Sequence, residues 1–259
     1  MRGRALLSGA FLAASWLSCQ HAQASVIGFY SFNGDVNDSS GNGNNGTAHG
    51  AISYTANAPF GGLALTLNGN RSNFVTVPID SQTGTHPNET FGGWIFVPSG
   101  VPIANTGVIS VDNCCYDRTL DLDTRPGGFQ YSAFTGTGVA GGGQVQFDQW
   151  VFFAVSYNNT ANSYILQVGT NQVSGSTAFD GNAQVPTYIG QNPNFDLGFH
   201  GELADVFFYD TALTGAELAN IQLNGPSVVL NDASAPEPSS LLLLGSALAL
   251  VAAARARRG

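Results

Sequence analysis

The chain has 259 residues, with 33 Gly, 11 Pro, and only 10% charged residues. That composition excludes a coiled coil and a helical bundle, and apolar residues at 43% exclude a disordered chain. Lysine is absent, and from Ser25 to Ala235 only Arg71, Arg118 and Arg125 stand against sixteen acidic residues, a balance that repels phosphates and excludes a nucleic-acid partner.

At the N-terminus Arg2 and Arg4 precede the apolar run Ala5–Leu17, and Ala22-Gln23-Ala24 supplies a small-x-small site. These are the three parts of a secretory signal peptide, so residues 1–24 are expected to be removed by a cut between Ala24 and Ser25. A membrane anchor is the competing reading, and the short apolar run speaks against it.

The middle alternates β-rich runs with Gly/Asn clusters. VIGFYSF, LALTL, NFVTVP, FGGWIFVP, GVISV, FQYSAF, WVFFAVSY, SYILQVG and ADVFFY are separated by stretches such as NGDVNDSSGNGNNG and GTGVAGGG. Many short strands joined by positive-φ turns indicate a sandwich. In NFVTVP the two-residue period sends Phe74 and Thr76 to one face, Val75 and Val77 to the other. One helix is expected: Thr214-Gly215-Ala216-Glu217 forms a capping box, and Leu218, Ile221 and Leu223 would face the sheet. The fold class expected is all-β, a two-sheet antiparallel jelly-roll sandwich over residues 25–225 with one short C-terminal helix. Residues 226–235 read as a linker.

Ser239 to Ala254 is uncharged and close to the lower limit of a bilayer span. Arg255, Arg257 and Arg258 follow at once, which places that end in the cytoplasm and the core outside. Pro236-Glu237-Pro238, a Leu-rich span and a terminal Arg cluster, residues 236–259, resemble the PEP-CTERM sorting signal of Gram-negative bacteria. The resemblance implies an exosortase as processing partner and an association with exopolysaccharide. It also implies a transient inner-membrane anchor, followed by release to the cell surface or matrix. A plain tail anchor accounts for the span and arginines but not for Pro-Glu-Pro.

A second resemblance covers Ser25 to Leu223. YSFNGDVNDSSGNGNNGT, LALTLNGNRSNFVTVP, WVFFAVSYNNTANSYILQVG and YIGQNPNFDLGFHGELADVFFYDTALTGAEL, in this order, resemble the LamG-like jelly rolls of the concanavalin A-like superfamily. The chain departs from that pattern at Val151 and Phe152, where histidines are usual, at Ala204-Asp205 in place of Asp-Glu, and at Phe207 in place of Arg.

The superfamily includes glycoside hydrolases, which need two carboxylates flanking the scissile bond. Glu89, Glu202 and Glu217 do not fit the Glu-x-Asp spacing of related hydrolases. Asp121 and Asp123 share a strand face about 7 Å apart, and read as a solvated polar face opposite Leu120 and Leu122. His49, His86 and His200 lack zinc spacing, and no nucleophile elbow occurs. No catalytic residue is expected.

Calcium is the candidate ion, since it takes hard oxygen ligands in turn-rich loops. The resemblance implies a structural Ca²⁺ near the sandwich rim, with Asp38 as nominee and Asp35 and Asp205 behind it; the alternative is that Asp38 only forms an Asx-turn. Cys114 and Cys115 are the only thiols of the exported part, so a vicinal disulfide is expected, with intermolecular bridges and free thiols as alternatives. The function expected is a non-catalytic surface module that binds or scaffolds extracellular polysaccharide. A protein-binding adhesion module is the alternative and a glycoside hydrolase comes third. Tyr116, Tyr131 and Tyr164 are candidate sugar platforms that sequence cannot sort into core and surface.

Overall fold

The computed structural model describes residues 24–183 and 185–234. The signal-peptide stretch before Ala24 and the sorting-signal residues Pro236, Glu237, Pro238, Arg255, Arg257 and Arg258 lie outside the described residues.

Sixteen strands form among the described residues. The first six are β1 (Val26–Tyr30), β2 (Thr47–His49), β3 (Ser53–Thr55), β4 (Ala64–Asn68), β5 (Phe74–Val77) and β6 (Asn88–Phe96). Then come β7 (Thr106–Ser110), β8 (Thr119–Asp123), β9 (Gln130–Phe134), β10 (Val139–Gln144) and β11 (Trp150–Asn158). The last five are β12 (Ser163–Val168), β13 (Asn171–Ser176), β14 (Thr187–Ile189), β15 (Leu197–Gly198) and β16 (His200–Tyr209). They build two sheets. The first runs β13-β12-β11-β6-β16-β4-β3, with β1 also on β16; the second runs β10-β9-β8-β7-β14-β5-β2, with β15 beside β7. All strand pairs are antiparallel except β15 with β7.

Alternation along each strand decides what fills the space between the sheets. Val75, Val77, Leu120, Leu122 and Tyr131 from the second sheet meet Ile95, Phe153, Val155, Leu203 and Phe208 from the first. The sandwich is thus all-β, as the turn-punctuated strand runs predict. The first sheet is apolar on its other face too, where Trp94, Phe152, Phe207 and Tyr209 pack under two helices.

Those helices are α1 (Gly215–Asn224) and α2 (Pro226–Ser234). α1 starts at the predicted capping box: Glu217 N donates to Thr214 Oγ1 at 3.3 Å, and Thr214 N donates to the Glu217 carboxylate at 2.7 Å. Leu218 and Ile221 are buried, but Leu223 is 79% exposed, against expectation. At about 100° per residue, a position two beyond Ile221 turns to the opposite face. The second correction concerns residues 226–235, which are a helix and not a linker as far as Ser234. Pro226 opens α2 at a position where its missing N–H costs nothing. Val229 is buried against the sheet, and Tyr209 Oη donates to Asp232 at 2.8 Å. Among the described residues no helix is long and apolar enough to cross a membrane.

Candidate functional site

Because Leu120 and Leu122 point into the core, Asp121 and Asp123 project from the other face of the second sheet. Both carboxylates are wholly buried, which corrects the solvated face expected of them. They are covered by Arg125 and by two loops, residues 111–118 after β7 and residues 190–196 after β14. A Cβ on Gly107 would collide with the main chain of Gln191 and Asn192, so the second loop passes over the strand only because Gly107 has none.

Side-chain amides and carboxylates hold the loops. Asn192 Nδ2 donates to Asp112 at 2.9 Å and to Asp196 at 3.2 Å. Asp117 closes the first loop, accepting from Asn113 N at 3.0 Å and donating its own N–H to Asp112 at 3.1 Å. Arg71 donates to the carbonyls of Asn192, Pro193, Phe195 and Asp196. Cys115, Tyr116 and Asp196 adopt positive φ of 66°, 64° and 53°, conformations that non-glycine residues hold only where the surroundings impose them.

Arg125 is the cation of this site. Its Nε donates to both Asp123 oxygens at 2.9 and 2.7 Å, and Nη2 lies 3.4 Å from Asp121 and 3.5 Å from Asp196. The guanidinium also stands 5.5 Å from the Tyr116 ring centroid and 5.0 Å from that of Phe134. Burial pushes the Asp121 carboxyl well above its usual range, and the charges of Asp196 and Asp123 push the same way. Burial likewise raises Asp112 and Asp196, and lifts Asp117 to about 6.

Between the loops opens a cavity of about 320 Å³, lined by Asp112, Cys115, Tyr116, Arg125, Phe195 and Asp196. That volume falls within the range of small-ligand pockets. Phe195 is 45% exposed at the mouth. Cys115 is joined to Cys114 as a vicinal disulfide, with Cα atoms 3.8 Å apart. A second cavity, about 150 Å³ and bordered by Val101, Leu122, Phe129 and His200, is smaller.

Residues 69–219 match the model of the concanavalin A-like lectin/glucanases superfamily, more than half of the chain. The chain belongs to this superfamily. Residues 234–258 match the PEP-CTERM protein-sorting motif. No curated protein matches. Among solved structures, domain 4 of AbnA, a GH43 extracellular arabinanase from Geobacillus stearothermophilus in complex with arabinotriose, is 22% identical with a TM-score of 0.59; the match covers 77% of this chain and 99% of that one. The receptor binding domain of botulinum neurotoxin C/D mosaic serotype is 11% identical with a TM-score of 0.59, over 77% of this chain and 51% of its own. The binding domain of Paraclostridial Mosquitocidal Protein 1 is 14% identical with a TM-score of 0.56, over 76% and 52%. The chain therefore spans about half the length of these last two chains. At such identities the likeness establishes a shared fold, and the superfamily's name covers lectins and glucanases alike, so function has to be argued from the site.

In this concanavalin A-like domain the residues nominated for calcium stand apart in character. Asp38 accepts four hydrogen bonds, from Phe29 N at 3.0 Å, Ser40 N at 2.9 Å, Ser40 Oγ at 2.6 Å and Asn44 N at 3.0 Å. Three of these bonds fall on Oδ1 and one on Oδ2, the geometry of a loop organiser. Asp35 accepts from the main chain and side chain of Asn37 in an Asx-turn. Asp205 differs: it is 7% exposed, and its carboxylate meets no hydrogen-bond donor among the described residues. Of the tyrosines, Tyr131 and Tyr164 are core residues and Tyr116 lines the cavity.

The sequence reading missed Asp112, Arg125, Asn192, Phe195 and Asp196. One signal was available. In a chain with three internal arginines, each had to be held by something, and two of them, Arg71 and Arg125, converge on residues 192–196.

Proposed function

We propose that this domain is an exported, non-catalytic module that binds extracellular polysaccharide in the cavity beside Tyr116. The observation that carries the reading is the cavity's composition. Two aromatic side chains, the half-buried Tyr116 and the exposed Phe195, offer the apolar platform on which a sugar ring can lie. Asp112, Asp196 and Arg125, fixed by their own hydrogen bonds, offer polar groups at its edge. The arabinotriose named for the related arabinanase domain supports a sugar as ligand on this fold.

Substituting Phe195→Ala or Tyr116→Ala should weaken oligosaccharide binding at least tenfold in calorimetry. Loss of the partly exposed Phe195 ring should leave stability within about 0.5 kcal/mol. Unchanged affinity in both variants would move the site elsewhere. Capture of surface proteins without sugar binding would favour the adhesion reading, and release of reducing ends would turn Asp112 and Asp196 into catalytic candidates.

We also propose that an exosortase cuts the chain near Pro236-Glu237-Pro238. The two prolines bias the segment to extended backbone, which a protease cleft can accept. Glu237→Ala should then leave full-length protein in the membrane fraction while the wild type is released without its apolar span. Mass spectrometry of both fractions reads the outcome. A plain tail anchor predicts identical distributions for the two.

A further inference from the structure

We infer that the cavity selects a sugar residue carrying a free ammonium group, a de-N-acetylated hexosamine unit, over its neutral and uronic-acid counterparts. The inference rests on the reading of the cavity as a sugar site.

The walls and the charge are separate observations. Cys115, Tyr116 and Phe195 form an apolar wall of the right size for one ring, whatever the charge nearby. The remaining lining groups are Asp112, Asp196 and Arg125, and their charges do not balance. Arg125 is shared among Asp121, Asp123 and Asp196. The Asp121 and Asp196 carboxyls also hydrogen-bond each other, which takes one proton, and two negative charges still face one guanidinium. Asp112 has no cation among its hydrogen-bond partners, which are the Asp117 N–H and the Asn192 amide. The other two arginines of the domain are committed elsewhere: Arg118 pairs with Glu89 in the core, and Arg71 spends its donors on main-chain carbonyls. A bound ligand thus meets a negative potential that low-dielectric walls intensify.

Geometry narrows the choice further. The carboxylates of Asp112 and Asp196 accept from one and the same nitrogen, Asn192 Nδ2, so they stand close enough for one small cation to reach both. An ammonium has three donors and no acceptor, which matches oxygens with lone pairs to spare. An N-acetyl group offers one donor and no charge, and a uronate brings a further negative charge into a site with too many. Burial already raises both carboxyls, and a cation between them offsets that cost. The ring of Tyr116 adds a face that already accommodates the Arg125 cation.

The experiment is calorimetry on the mature domain with short oligomers of glucosamine, N-acetylglucosamine and galacturonate, slightly below neutral pH. The glucosamine oligomer should bind about fivefold or more tighter than the acetylated one, the size expected of a partly buried ion pair, with galacturonate weakest and the gap shrinking as salt rises. Asp196→Asn, which keeps the shape and tolerates positive φ, should close the gap between the glucosamine and acetylated oligomers, whatever it does to the affinity of each. Tyr116→Ala should weaken all three, which separates the cavity from general attraction to an acidic surface. Equal or tighter binding of the neutral or uronate oligomer overturns this inference and leaves the sugar site standing. A preference for the amine that survives both Asp112→Asn and Asp196→Asn overturns it as well. Binding of none of the three overturns it together with the reading beneath it.

Discussion

Replacing Arg118 with methionine should cost about 3–5 kcal/mol, visible as a large drop in the urea midpoint, because it strands a charge in the core. Arg118 and Glu89 are 1% and 0% exposed and pair at 3.0 Å between the sheets. Around them the groups are matched. Ser81 Oγ donates to Glu89 at 2.6 Å, and the guanidinium donates to the carbonyls of Ser81, His86 and Pro87. It also stands 5.5 Å from the Tyr157 ring and 5.6 Å from that of Phe179. Even so, burial holds the Glu89 carboxyl above its usual range, against the pull of Arg118, and Arg118 Nε finds no partner among the described residues. The pair is therefore costly to break and weak as a source of net stability. Removing both charges, Arg118→Met with Glu89→Leu, should recover most of the loss. A single Arg118→Met variant as stable as wild type would mean that Glu89 is already neutral.

Asp205→Asn should stabilise the domain at pH 8 by on the order of 2–4 kcal/mol and by no more than about 0.5 kcal/mol at pH 4. Burial lifts this carboxyl from 3.8 to about 7. The sign follows from the raised value: the folded state holds the proton more tightly, so stability rises as pH falls from 8 through 7 and levels off near 4. Asp205 sits in the bulge where β16 exchanges one neighbour for another, from Leu203 opposite Leu65 on β4 to Val206 opposite Tyr30 on β1. Its φ of 52° suits Asn as well as Asp, so the substitution removes charge without straining the backbone. Thermal melts of both proteins across this pH range test it. The calcium proposal reads on the same pair. A Ca²⁺ ion at Asp205 would hold the carboxylate ionised, raise the wild-type melting temperature and leave the variant unmoved; melts indifferent to EDTA would remove the proposal.

What could be read in the sequence was what short-range periodicity and local chemistry determine. The nine apolar runs are strands, Val75 and Val77 face inward, and the Thr214–Glu217 capping box starts a helix. The strands not foreseen are short or carry little alternation: β2, β3 and β13 are largely exposed, β14 and β15 have three and two residues, and β10 forms from the GTGVAGGG stretch read as a turn. The cavity was illegible for a different reason. Asp121 and Asp123 carry the pattern of a polar outer face, and only loops from distant parts of the chain convert that face into an interior. Asp112 and Asn192 are 80 positions apart, and Arg118 and Glu89 are 29. No local rule reports such meetings. The superfamily resemblance supplied the sandwich without supplying its ligand.

The two helices sit on the first sheet, and the described residues both begin and finish there. Ser25 N donates to Asp210 at 3.2 Å next to β16, and α2 lies against β1 as far as Ser234. The cavity opens on the outward side of the second sheet, so the full thickness of the sandwich, about 10 Å between sheet planes plus the side chains beyond them, separates it from Ser25 and Ser234. The first and last described residues and the cavity consequently lie on opposite faces of the sandwich. A molecule held in the cavity would therefore leave Ser25 and Ser234, on the opposite face, uncrowded.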